Sequence, residues 1–443
     1  MGSLRLDVDP KKELERISMG ADDAARLVRS FDQIWIPSGH APPAILAAIA
    51  RREPELRGVK VRTTLLPDLG WFRRESMPHF DLQVQYALLP ESRQALAERL
   101  IDFHPYSMLM QHKAIDARRE EAQAIDKLLI TVSPPNEGGW VCVGHACWDA
   151  VSSAKRAGMV LAEMNESVVR MCGDTRLHVS QLDALVPNPR PQVFPPIATE
   201  FDAVDRAIAQ NVKGLIRDGD TIQIGLGKHT GALPLLGAFD ERNDLSYFGE
   251  LTVPGLVGLA RRGVINGRYG ELHPGKFVAA QIGNSVEDLE FIQDNPAFEA
   301  RSYEYTNDPR SIAAHERMVA MNGALMVDLS GQIGVYSIGP EVYTGLGGHL
   351  GFAIGAMLAP RGRYVTVLPS TARGGTLSTI VPSFERGQIV SIPRELADTV
   401  VTDQGVALLL GKSVRERTEA MIEIAHPDHR AELRAAARRM YWP

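Results

Sequence analysis

Two stretches of the chain carry the same order of polar and apolar positions: Leu27-Val28-Arg29-Ser30-Phe31-Asp32-Gln33-Ile34-Trp35-Ile36 and Leu215-Ile216-Arg217-Asp218-Gly219-Asp220-Thr221-Ile222-Gln223-Ile224. They align without a gap. Each reads as a helix end, an Asp-bearing turn and a short apolar strand. Each then continues into a glycine turn (Gly39; Gly225 and Gly227) and a helical pattern (Ala44-Ile45-Leu46; Ala232-Leu233-Pro234). That order predicts the first strand of a parallel α/β sheet, and its recurrence predicts two related α/β domains. Further strands are expected at Lys60–Leu66, Leu128–Val132, Ala324–Leu329 and Tyr364–Leu368.

Between the repeats lies Val186-Pro187-Asn188-Pro189-Arg190-Pro191-Gln192-Val193-Phe194-Pro195-Pro196. Proline at this density holds the chain extended and forbids a helix or central strand. The expected division is therefore residues 1–190 for the first domain and 191–443 for the second.

A length of 443 residues agrees, being too much for one core. The 44% hydrophobic and 23% charged fractions are those of an ordinary globular protein. A net charge of -6 argues against nucleic acid or an anionic membrane as partner, while still allowing a small anion to be bound locally. Three cysteines, Cys142, Cys147 and Cys172, exclude a disulfide scaffold and suit a reducing, cytoplasmic setting. Cys142 and Cys147 flank His145 too closely for a zinc site and have no fourth ligand in view, so no metal is expected. The polar N-terminus lacks a signal peptide's apolar core, and no apolar run reaches membrane-spanning length.

Gly225-Leu226-Gly227-Lys228-His229-Thr230-Gly231 follows a strand and opens a helix. Glycines there let backbone approach a phosphate at a helix N-terminus. The spacing is one residue longer than the dinucleotide fingerprint, so a phosphate-bearing ligand and a plain turn both remain open. Gly411-Lys412-Ser413 imitates the end of a nucleotide loop, but its preceding glycine, Gly405, is one residue too distant. Tyr343-Thr344-Gly345-Leu346-Gly347-Gly348-His349 would expose backbone N–H groups suited to a carboxylate or thioester oxyanion, with a flexible surface turn as the alternative. Arg373 follows the strand at Tyr364 and could pair with either anion or stand as a solvated charge. Glu250, in Tyr247-Phe248-Gly249-Glu250-Leu251, sits at a strand end where α/β enzymes place ligands; on these residues alone a surface glutamate or helix cap is the favoured reading.

Taken in order, several stretches resemble the acetyl-CoA hydrolase/transferase family, the branch of class I CoA-transferases that includes 4-hydroxybutyrate CoA-transferase. They are Val132-Ser133-Pro134-Pro135-Asn136-Glu137-Gly138-Gly139, Ile222–Gly227, Tyr305-Thr306-Asn307-Asp308-Pro309, Asp328-Leu329-Ser330-Gly331-Gln332, Tyr343–Gly348, Leu368–Gly375 and Ile424-Ala425-His426-Pro427. The resemblance implies two similar open α/β domains with the active site at their interface. It implies Glu250 as the catalytic glutamate and Gly348 beside the oxyanion. Gly225, Leu226, Gly227, Lys228 and His229 would form a loop that holds CoA. Thr344, Gly345 and Gly347 would line the CoA and carboxylate site, with Arg373 standing where the family usually has lysine. Gly351 departs from the pattern, standing where aspartate is usual.

The implied activity moves coenzyme A between acyl-CoA and a carboxylic acid through a glutamyl-CoA thioester, with acyl-CoA hydrolysis on the same scaffold as the alternative. Coenzyme A is then a substrate and no tightly bound cofactor is expected; a homodimer is expected from the family. A glutamate near its reference pKa of about 4.3 would be ionised and need no general base. Trp140, Met171, Tyr336 and His349 are candidates for shaping an acyl pocket.

Overall fold

The computed structural model describes residues 4–5, 7–64, 68–86, 89–105, 108–109, 111–116 and 119–442. Its first half builds a parallel sheet from β1 (Gln33–Ile36), β2 (Val59–Thr63), β3 (Phe80–Val84), β4 (Asp102–Phe103), β5 (Lys127–Val132), β6 (Met159–Met164) and β7 (Ala184–Pro187). The spatial order is β7-β6-β5-β1-β2-β3-β4. Helices cover both faces of such a sheet, so its strands read as unbroken apolar runs; all six residues of β5 are buried.

The second half repeats the plan with β8 (Thr221–Ile224), β9 (Ser246–Leu251), β10 (Phe277–Gln281), β11 (Phe298–Ala300), β12 (Met318–Gly323), β13 (Arg363–Val367) and β14 (Thr399–Thr402). Their order, β14-β13-β12-β8-β9-β10-β11, is that of the first sheet strand for strand. Two edges extend it: antiparallel β15 (Gly405–Leu408) beside β14, and the two-residue strand Cys172–Gly173 beside β11.

The sequence repeat is therefore a topological one, with β1 and β8 at equivalent central positions. Register carries the equivalence further. Ile34 pairs with Val61 and Ile222 with Tyr247, so Thr64 in the first half stands where Glu250 stands in the second.

The predicted strand at Lys60–Leu66 is observed as β2; Leu65 and Leu66 lie outside the described residues. The strand expected over Ala324–Leu329 is shorter, Met326–Asp328, and lies in a small separate sheet with Ile333–Gly334 and Ile380–Val381. Asp328 ends it by accepting from the backbone of Ser330 and Gln332, both at 2.9 Å. The central strand is the preceding segment, β12.

One apolar cluster holds Leu128 and Ile130 of β5 together with Ile222 and Ile224 of β8, so the halves share a core. They also meet where Ala146 bridges Gln281. Residues 188–201 run between the sheets without helix or strand. Among the described residues no helix is long and apolar enough to cross a membrane.

Candidate active site

Glu250 lies on β9, one residue beyond Gly249. Tyr247 and Phe248 before it are each 1% exposed and anchor the strand in the core. The Tyr247 ring folds back over Gly249, where an added Cβ would stand 2.8 Å from the Tyr247 hydroxyl. That hydroxyl donates to the Leu251 carbonyl beyond Glu250. The glycine is thus what lets the tyrosine brace the strand end that carries the acid.

Two donors meet the Glu250 carboxylate. The Asn307 side-chain amide donates to Oε2 at 2.8 Å, and the backbone of Gly348 supplies a second hydrogen bond. Asn307 ends the short helix Tyr303–Thr306 and is fully buried. The Thr306 hydroxyl donates to Asn307 Oδ1 at 2.9 Å, which turns the amide nitrogen toward Glu250. Gly348 is the N-cap of helix His349–Leu358, whose N-terminal partial positive charge faces the carboxylate. A Cβ at position 348 would lie 2.0 Å from Glu250 Oε2. At Gly347, φ is +56°, and a Cβ would lie 2.0 Å from the Tyr86 hydroxyl. The glycine-rich loop is therefore a loop wrapped closely on a carboxylate and a tyrosine. Gly351 follows the same logic, since a Cβ there would meet the Asn307 carbonyl at 2.6 Å.

Burial pushes the Glu250 pKa up to about 7, against the opposing pull of the Asn307 and Gly348 hydrogen bonds. This corrects the expectation of an ordinary carboxylate: the acid is only partly ionised at neutral pH. Tyr86, facing it, is held neutral by burial and by the Glu250 charge.

The carboxylate opens into a cavity of about 120 Å³. Gly225, Leu226, Thr344, Gly345, Gly347, Gly348 and His349 line it, together with Tyr86, Gln223, Asn322 and Val335. The two glycine loops, far from Tyr86 in the chain, are thus brought to one point with it by the packing of the two sheets. Gly227, Lys228 and His229 are not in that lining. The Lys228 ammonium pairs with Asp202 at 3.0 Å and the His229 ring with Asp205 at 2.7 Å. Arg373 lies in a neighbouring groove of about 1110 Å³ between the halves, with Arg93, Phe103 and Tyr343. The Arg93 guanidinium sits 5.1 Å over the Tyr343 ring. Because Tyr343 adjoins Thr344, groove and cavity share a wall.

Of the acyl-pocket candidates, His349 lines the cavity, its ring nitrogen bonded to the Tyr364 hydroxyl. Tyr336 stacks on Phe103 with ring centroids 6.3 Å apart. Trp140 packs edge-on against His178, and Met171 is buried in the shared core. Ser413, in the decoy nucleotide loop, caps helix Val414–Glu423.

Sequence reasoning left Tyr86, Asn307 and the Gln223–Asn322 amide pair without a role. Asn307 lies inside a motif that carried the resemblance, so a signal existed for it. Tyr86 comes from the other half and had none.

A family described as "Acetyl-CoA hydrolase/transferase C-terminal domain" matches residues 287–437. The chain is 36% identical over 317 residues to a 4-hydroxybutyrate coenzyme A transferase of Clostridium kluyveri, covering 71% of this chain and 73% of that one. It is 31% identical to a succinyl-CoA:cyclohexane-1-carboxylate CoA transferase of Geobacter metallireducens, over 97% of each. A crystal structure of RipA from Yersinia pestis superposes with a TM-score of 0.90 at 27% identity, covering 98% of this chain and 100% of that one. A 4-hydroxybutyrate CoA-transferase from Porphyromonas gingivalis gives a TM-score of 0.80 at 28% identity, covering 97% and 100%.

Proposed function

The chain belongs to the acetyl-CoA hydrolase/transferase family and is an acyl-CoA:carboxylate CoA-transferase, and from that premise we propose that the exchange runs through a covalent glutamyl-CoA thioester on Glu250. Its substrates are an acyl-CoA and small carboxylic acids, with no tightly bound cofactor. The observation that carries the reading is the carboxylate held from one side by Asn307 and Gly348 while facing the cavity.

Glu250 in its ionised form attacks the thioester carbonyl carbon. The C–S bond breaks, and CoA leaves as thiolate, giving an acyl-glutamyl anhydride. The thiolate then attacks the Glu250 carbonyl carbon and expels the first acid as carboxylate, leaving glutamyl-CoA. An acceptor carboxylate attacks that thioester and releases the thiolate, which finally attacks the acceptor's acyl carbon and frees Glu250. No water is consumed, so the thioester's energy is kept, and the kinetics are ping-pong.

At two of these steps negative charge gathers on the oxygen of Glu250's own carbonyl. The Asn307 amide already points at Oε2 and the Gly348 backbone already bonds the same carboxylate, so they need no rearrangement to receive that charge. A donor of this kind is worth roughly 3 kcal/mol. The raised pKa serves the same chemistry: a more basic carboxylate is a stronger nucleophile once ionised. The groove containing Arg373 and Arg93 suits the phosphates of CoA, whose thiol-bearing arm would reach the cavity past Tyr343 and Thr344.

Intact-mass measurement after mixing protein with acyl-CoA, without acceptor, tests this. A covalent gain equal to CoA minus water, absent in Glu250→Ala, is the expected result. Turnover that ignores added acceptor and leaves no adduct would instead establish a hydrolase.

A further inference from the structure

The topological repeat places a second crevice in the first half at the position that the catalytic cavity occupies in the second. By strand register, Pro37 and Gly39 stand for Gly225 and Gly227, and Thr131 stands for Gly323. Pro37, Gly39 and Thr131 line a crevice of about 270 Å³. The carboxyl ends of parallel strands, where the strand order reverses, are where such sheets take ligands. This half has Thr64 in place of the catalytic glutamate, so its crevice is not a second copy of the reaction centre.

Its polar lining differs from the catalytic one. His145 is 9% exposed, and its ring makes no hydrogen bond among the described residues; it leans on Phe194 at 5.8 Å and faces the crevice. The other histidine there, His40, is already engaged by the carbonyls of Thr131 and Ala146, at 3.2 and 2.6 Å. Arg190 reaches in from the inter-sheet segment, whose Pro189 and Pro191 hold its backbone extended. Its backbone is tied down by Asn165 and Ser167. Its Nε lies 3.4 Å from Glu163 Oε1 yet makes no hydrogen bond. One Nη meets only the Thr131 hydroxyl, at 3.5 Å. Glu163 is itself satisfied by the Ala44 N–H and the Asn188 amide, each at 2.8 Å. A guanidinium on a rigid backbone and a buried, unpaired imidazole thus converge on one cavity.

We propose that this crevice is a second carboxylate site, taking the carboxylate of a small organic acid between the Arg190 guanidinium and the His145 ring. Arginine presents paired N–H donors matched to a carboxylate, and the imidazole N–H supplies a third donor. The carboxylate has two available sources. It can belong to a free acid bound apart from the reaction, or be the remote carboxylate of a dicarboxylic acyl group. The second source draws on one connection in the fold, since Ala146 of this crevice belongs to the apolar cluster against which Tyr86 and Leu251 of the catalytic cavity pack; only that source rests on the Glu250 reading.

Equilibrium dialysis of labelled succinate against the CoA-free protein tests binding directly. Glu250→Ala should retain the bound acid, whereas Arg190→Gln and His145→Val should each weaken it at least tenfold. His145→Val puts a smaller apolar side chain in the same buried space, so it remains informative if Arg190→Gln unfolds; melting temperatures without acid report that. Exchange rates with succinyl-CoA and acetyl-CoA then assign the source. A tenfold loss confined to succinyl-CoA assigns the acyl chain, and unchanged rates with both assign a free acid. Wild type that binds no succinate, or variants that bind it as wild type does, overturns the site. A wild type that forms no CoA adduct defeats the Glu250 mechanism without touching the dialysis result.

Discussion

Asn307 donates to Glu250 Oε2 at 2.8 Å, and the hydrogen bond opposes the burial that, on balance, raises the carboxylate pKa to about 7. On the proposed mechanism the nucleophile is the ionised form, so kcat/KM for acyl-CoA should fall as pH drops through 7 and level off above it. Asn307→Ala removes a group that favours the charged form. The limb of its pH–rate profile should therefore move to higher pH, and its plateau should fall about 100-fold because a donor to the oxyanion is also gone. Initial rates across pH 5–9 for both proteins check each part.

Gly348 permits no side chain. With a Cβ 2.0 Å from Glu250 Oε2, Gly348→Ala must displace the carboxylate or the loop. The expected result is loss of at least about 100-fold in kcat with nearly unchanged CoA affinity. Steady-state kinetics and titration with CoA separate the two effects.

The raised pKa of Glu250 is also a statement about stability. In an unfolded chain the group titrates near 4.3. Between that value and 7 the unfolded state loses its proton first, so ionisation progressively disfavours the fold as pH rises through this window. Below it the cost is absent, and above it the cost is complete, on the order of 4 kcal/mol. Glu250→Gln should therefore raise the melting temperature at pH 8 and scarcely alter it at pH 4. An equal effect at both would contradict the assignment.

Lys228 and Arg373 were both expected beside CoA, and the structure treats them differently. Lys228 pairs with Asp202 and Asp205, whereas Arg373 lines the groove between the halves. Arg373→Ala should raise KM for acyl-CoA about tenfold, more at low salt, since an exposed charge is screened, and should not affect a pantetheine thioester lacking the nucleotide. Lys228→Met should leave that KM within about twofold. Measuring KM for both thioesters at two ionic strengths decides these cases.

The fold was legible because parallel strands buried on both faces leave an apolar signature, and because it appeared twice in register. Strand identity was less legible: the run after Gly323 was as apolar as β12, and only sheet packing selected between them. Glu250 and the glycine loops were legible through an ordered set of motifs. Tyr86 was not, since nothing local to Gln85-Tyr86 records a partner on another sheet.

The amino-acid sequence by itself determined two α/β halves, a proline-held join and an acid placed at a strand end after glycine. These depend on local periodicity and backbone preference, which neighbouring residues express. Only the tertiary structure decided that Asn307 and the Gly348 backbone converge on Glu250, that Lys228 pairs with Asp202, and that Arg190 and His145 share a cavity. Each depends on side chains far apart in the chain meeting within a few ångströms, and their pKa values and pairings follow from that burial.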